Sequence, residues 1–133
     1  WNEWKEDEIT SRDPDTDQTG PNDSPAGDGI PNLLKYATGL DPLKPCGSVV
    51  RVTAEEAGGD ACLVLGWPVN PDATGIRHAV EASEDLQTWT ETAEVETEGK
   101  SSATFRDAVP MNAESPRRRF LRLKISREGE SPL

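Results

Sequence analysis

The residues with the clearest chemical potential are carboxylates near the start of the chain. Asp13, Asp15 and Asp17 alternate in the run DPDTDQTG, and Asp23 and Asp28 follow. Calcium takes about six to eight oxygen ligands, and alternating Asp side chains in a tight loop aim at one point. The spacing of the first three therefore suits a calcium loop. Two positions depart from that chemistry. Gln18 stands where a turn-forming Gly is expected, and the closing twelfth position is Ser24 rather than Glu or Asp. Asp23 and Asp28 are then the groups that close a composite shell if the chain folds back. The predicted metal set is Asp13, Asp15, Asp17, Asp23 and Asp28, with calcium as the cofactor. The competing expectation is a solvated acidic linker that like charges keep extended.

Other constellations are poorer. His78 is the single histidine and falls in mid-strand on an inward face, where a core imidazole is expected rather than a general base. The serines have no Gly-x-Ser-x-Gly context, and no glycine loop is built to cradle phosphate. Glu55-Glu56 and Glu84-Asp85 are adjacent carboxylates at expected turns, with nothing to mark a raised pKa. The chain is not expected to be an enzyme. Cys46 and Cys62 with one His fall short of a zinc shell. A hairpin turning at Gly58-Gly59 puts Cys62 near Glu55, so the sequence does not specify a Cys46–Cys62 bridge. Trp67, Trp89 and Tyr36 are expected to pack. Trp1, Trp4, Phe105 and Phe120 remain as a candidate surface for stacking sugars. Trp1 and Trp4 have other readings, as packing of the N-terminal arm on the β-sandwich or as part of the boundary to a preceding domain.

Charge narrows the partners. The 133 residues carry a net −11. Residues 1–45 hold 10 acids and 4 bases, residues 46–100 hold 11 and 3, and residues 101–133 hold 4 and 7. This excess argues against nucleic acid, whose binders supply a basic surface, and against an anionic membrane surface. No apolar run approaches the ~18 residues of a membrane helix, so no membrane insertion is expected. The hydrophobic fraction of 33% lies below the usual ~45–50%. With 11 Gly and 11 Pro, this predicts a small core with a polar arm. A chain starting at Trp1 rather than Met reads as a processed or excised piece.

Two zones must position these groups. Residues 1–45 read as an irregular acidic arm followed by one short helix. Trp1 to Ile9 has the pattern of one or two helical turns, and Pro31 suits the first position of the later helix. Leu33, Leu34, Tyr36 and Ala37 form its apolar stripe, and Gly39 and Pro42 end it. Ile30, Leu34 and Leu40 are expected to dock it. Residues 46–133 read as all-β, with six short strands in SVVRVTAE, ACLVLGWP, IRHAVEAS, TWTETAEVETE, SATFRDAV and RRFLRLKIS. Leu63, Leu65 and Trp67 share one face. So do His78 and Val80, and so do Leu121, Leu123 and Ile125. Arg122 or Arg119 is placed to pair with Glu81 across neighbouring strands.

The segment SPAGDGIPN, continued by NLLKYATGLDP, resembles the bacterial form of the thrombospondin type-3 calcium repeat. Against that pattern Ser24 and Ala26 replace the first two Asp residues, and Lys35 replaces the closing Glu. The resemblance therefore implies a degenerate loop in which Asp28-Gly29 makes a turn into the helix. LVLGW, AVEASEDLQTW and RRFLRLKI resemble a module found at the C-terminal ends of large secreted bacterial proteins of verrucomicrobial and planctomycete type. That resemblance implies a fibronectin type III-like β-sandwich in which Leu86 and Trp89 cover one end of the core. His78 departs from the aromatic that this module carries. The implied role is a non-catalytic accessory or spacer module, secreted or at the cell surface, whose partner is an upstream domain of the same polypeptide. One alternative is a carbohydrate-binding module for polysaccharide, with or without calcium. Another is a sorting or surface-anchoring domain.

Overall fold

The last two thirds of the chain alternate apolar and polar residues between turns, and a sheet answers that period. The computed structural model describes residues 1–57, 60–108 and 119–128. The predicted turn at Gly58-Gly59 and the predicted strand residues Val109 and Arg118 lie outside them. Six strands appear among the described residues: β1 Arg51–Ala57, β2 Asp60–Pro68, β3 Ile76–Ser83, β4 Thr90–Val95, β5 Ser102–Arg106 and β6 Phe120–Arg127. They form two antiparallel three-stranded sheets, in the order β1-β2-β5 and β4-β3-β6. The β1–β2 register opposes Glu55 to Cys62, as a turn at Gly58-Gly59 requires. Both cysteines are free thiols.

The sheets share one core. Leu65 and Trp67 of β2, Val69 after it, Val80 of β3 and Ala103 of β5 are its buried centre. Val50, Val95, Phe105, Leu121 and Leu123 pack around them. Directly opposed residues of paired strands lie on the same face. The pairs Val80–Leu123 and Ala82–Leu121 therefore point inward, and Glu81–Arg122 and Ala79–Lys124 point outward. Burying a large apolar side chain contributes roughly 1.5–3 kcal/mol, so Leu65 and Trp67 weigh heavily in so small a core. On the other side of β3 the register to β4 shifts between Val80 and Glu81. Thr92 is the extra residue there, and its hydroxyl donates to Val80 O at 3.2 Å. A bulge of this kind increases the local twist.

The N-terminal zone is folded onto this body. Helix α1, Asn2–Lys5, widens into a single π-helical turn over Glu6–Thr10, with Ser11 N–H donating to Glu6 O at 2.9 Å. Ile9 is fully buried. Arg12 pairs with Asp41 at 2.7 Å, which ties the arm to the segment after the second helix. That helix, α2, covers Asn32–Thr38. Pro31 is its N-cap in extended conformation rather than its first residue, and Gly39 ends it at φ 78°, where a side chain would be strained.

Leu33, Tyr36 and Ala37 are its buried apolar residues. Ile30, Leu34 and Leu40, expected to dock it, are only half-buried. The docking is instead largely polar. Asn70 N–H donates to Ala37 O at 2.8 Å and Asn70 Nδ2 to Tyr36 O at 2.9 Å. Two carbonyls that end a helix without intrahelical partners are satisfied in this way. α2 also contacts β6, an edge strand of its sheet. Among the described residues no helix is long and apolar enough to cross a membrane.

Candidate functional site

The loop before α2 gathers a close set of polar contacts. Asp28 Oδ1 accepts from the Ser24 hydroxyl at 2.9 Å and from Ile30 N–H at 3.0 Å. Asp28 Oδ2 accepts from Cys46 N–H at 2.9 Å and lies 2.8 Å from Lys35 Nζ. The Lys35 ammonium also donates to Lys44 O at 2.9 Å. The Lys35 side chain is 0% exposed and that of Asp28 is 6% exposed. The ammonium holds the Asp28 carboxyl far below the usual carboxylate range, helped by the N–H groups of Ile30 and Cys46. Lys35 sits one turn inside α2, so its long stem can return beneath the loop that starts the helix.

This donor set does not fit calcium. A divalent ion here needs several converging carboxylates, and the loop offers one, already neutralised at hydrogen-bond distance by an ammonium. Of the other predicted ligands, Asp13, Asp15 and Asp17 are exposed. Asp23 Oδ2 accepts from Gly20 N–H at 2.9 Å, and a Cβ at Gly20 would lie only 3.0 Å from that oxygen. Asn32 Nδ2 donates to Gln18 O and Gly20 O at 3.1 and 3.0 Å, bracing the same stretch. Among the described residues no three His, Cys, Asp or Glu side chains are grouped to hold a metal ion.

The aromatic candidates separate. Trp1 and Trp4 stack with centroids 5.5 Å apart, and both rings meet Tyr36, at 5.7 and 5.3 Å. They clasp the arm onto α2 rather than onto the strands. Tyr36 Oη then reaches the β2–β3 loop, accepting from Thr74 N–H at 2.8 Å and donating to Thr74 O at 3.1 Å. Phe105 packs against the core. Phe120 is half-buried and opposite Ser83, so it shares the outer face of β6 with Arg122.

Trp89, expected in the core, lies on that outer face instead. Its ring is half-buried under the Arg122 guanidinium, whose Cζ is 4.0 Å from the ring centroid. The same guanidinium pairs with Glu81 at 2.8 Å, which fixes it over the ring. Leu86, also expected to cover the core, is 58% exposed at φ 64°. The loop turns there because Asp85 Oδ1 accepts from Gln87 and Thr88 N–H, and Ser83 Oγ accepts from Leu86 N–H.

Two polar pairs inside the body were not foreseen from the sequence. Trp67 Nε1–H donates to His78 Nδ1 at 3.1 Å, which places the remaining imidazole proton on Nε2. That Nε2 is buried and has no partner among the described residues, and burial pushes the His78 pKa down. Arg119 grips Asp107 in a bidentate pair, with both contacts at 2.8 Å. No protein-family model, curated protein or solved structure matches this chain. The geometry alone therefore carries the functional reading. The sequence signals for the unforeseen contacts were slight: a Trp and a His on successive strands, and a basic run ahead of β6.

Proposed function

We propose that the chain is a non-catalytic accessory module of a secreted or cell-surface bacterial protein, a fibronectin type III-like sandwich with a braced N-terminal junction. The observation that carries this reading is the clasp of Trp1 and Trp4 on Tyr36. Rings suited to a binding platform instead fix the arm to the helix, and Tyr36 passes the connection on to Thr74. An arm held this way transmits orientation from a preceding domain of the same polypeptide, which a flexible linker does not. The order β1-β2-β5 facing β4-β3-β6 supports the sandwich family in the proposal.

A second reading, carbohydrate binding, is favoured by one feature. Trp89 and Phe120 belong to a single outer face and are partly open to solvent. The test is retention of the purified chain on insoluble polysaccharides and a glycan array, with calcium and with chelator. The accessory reading expects no retention beyond that of an unrelated acidic protein. Retention lost on Trp89→Ala or Phe120→Ala would assign the face to sugar and overturn it.

A further inference from the structure

We infer that the Lys35 ammonium is a resident cation that takes the place of a metal ion in the Asp28 loop. The first ground is charge. A loop that closes on a carboxylate at position 35 would set two buried anions together and require a divalent ion between them. With Lys35 there, the Asp28–Lys35 pair is neutral without any ion. The second ground is the ligand chemistry. The ammonium is held by a carboxylate oxygen at 2.8 Å and the backbone carbonyl of Lys44 at 2.9 Å, the oxygen types that calcium also takes. The third is burial. Lys35 is 0% exposed, and a lysine is almost never fully buried unless paired.

The fourth ground is architectural. Through Asp28 and Lys35 the cluster joins Ser24, the Ile30 turn, α2, and the Lys44–Cys46 segment that leads into β1. That is the cross-linking task of a structural metal, performed by a side chain. The junction between arm and sandwich is therefore independent of the metal supply. Ser24 and Ala26 fit the same account, since a monovalent ammonium requires no further carboxylates.

The experiment is NMR of the intact chain in chelator and in millimolar calcium. The Lys35 ammonium is expected to give its own slowly exchanging 1H–15N signal. Neither that signal nor the Asp28 carboxyl carbon is expected to shift when calcium is added, whatever happens at Asp13, Asp15 or Asp17. A calcium-dependent shift at Asp28, or loss of the Lys35 signal, would show that metal displaces the ammonium and would overturn the inference. A melting series adds a second arm. Lys35→Met should lower Tm by roughly 10 °C, equally in calcium and chelator, and adding Asp28→Asn should recover most of the loss. A double variant no more stable than Lys35→Met also overturns it.

Discussion

His78 offers the sharpest quantitative test, because its imidazole is buried beside Trp67 with Nε2 unpartnered among the described residues. The perturbation is His78→Phe, compared with wild type across pH. The folded pKa is depressed by burial, so below the free imidazole value the unfolded chain binds a proton that the folded chain refuses. Stability from this group is then full above about pH 6.5 and is lost as pH falls from there toward the folded value. While the buried ring stays neutral, each pH unit costs the wild type about 1.4 kcal/mol. For each such unit that is roughly tenfold in the unfolding constant. Spread over 133 residues at about 2.1 cal/mol/K each, it is a shift of about 5 °C in Tm per unit.

The Phe variant retains every carboxylate but not this slope. At pH 8 it should lie within about 1–2 kcal/mol of wild type, because it removes one unsatisfied N–H and creates another on Trp67. Urea unfolding at half-unit pH steps measures both quantities. Parallel wild-type and variant curves between pH 7 and 5 would refute the reasoning. So would an NMR midpoint for His78 at or above 6.5. Either result would mean that Glu96, Glu98 and Glu128, which line the same cleft as His78, hold an imidazolium.

Three further outcomes are expected. Arg119→Ala removes both charged hydrogen bonds that this guanidinium makes to the buried Asp107 carboxylate, and should cost about 1.5–3 kcal/mol in urea unfolding. Tyr36→Phe keeps the aromatic clasp but strips Thr74 of both hydrogen bonds; Thr74 is exposed, so water limits the loss to about 1 kcal/mol, read as a small drop in Tm. Asp28 is held below its ordinary value of 3.8, so the stability it adds is present above that pH and lost as pH falls through and below it. An acid titration of Asp28→Asn should accordingly show a flatter fall below pH 4 than wild type.

Much of the sandwich was legible because period-two alternation reports burial directly. The inward set Leu65, Trp67, Val80, Leu121 and Leu123 was readable from spacing alone, and so was the placement of Cys62 opposite Glu55. Trp89 and Leu86 misled because apolar character does not say which face a residue takes after a turn. Asp85 and Ser83 set that turn, and the ring finds Arg122 instead of the core. The helix contacts were misassigned for a related reason. Leu34 and Leu40 are the more hydrophobic candidates, but Tyr36 can both pack and bond, and Asn70 reaches the helix carbonyls from a distant loop. Lys35 was visible as an obstacle to calcium. Its occupancy of the cation position was not, since that depends on where a long side chain ends, not on where it starts.

The docking of α2 also has a consequence in time. Its seven residues are too few to persist as a helix alone in water, where about 12–15 are marginal. Its partners Asn70 and Thr74 lie 34 and 38 residues beyond Tyr36, in the loop between β2 and β3. Synthesis delivers α2 before that loop, so the helix cannot complete its docking until the β2–β3 connection has been made. A pause just before residue 70 would leave the last carbonyls of α2 without the Asn70 groups that satisfy them.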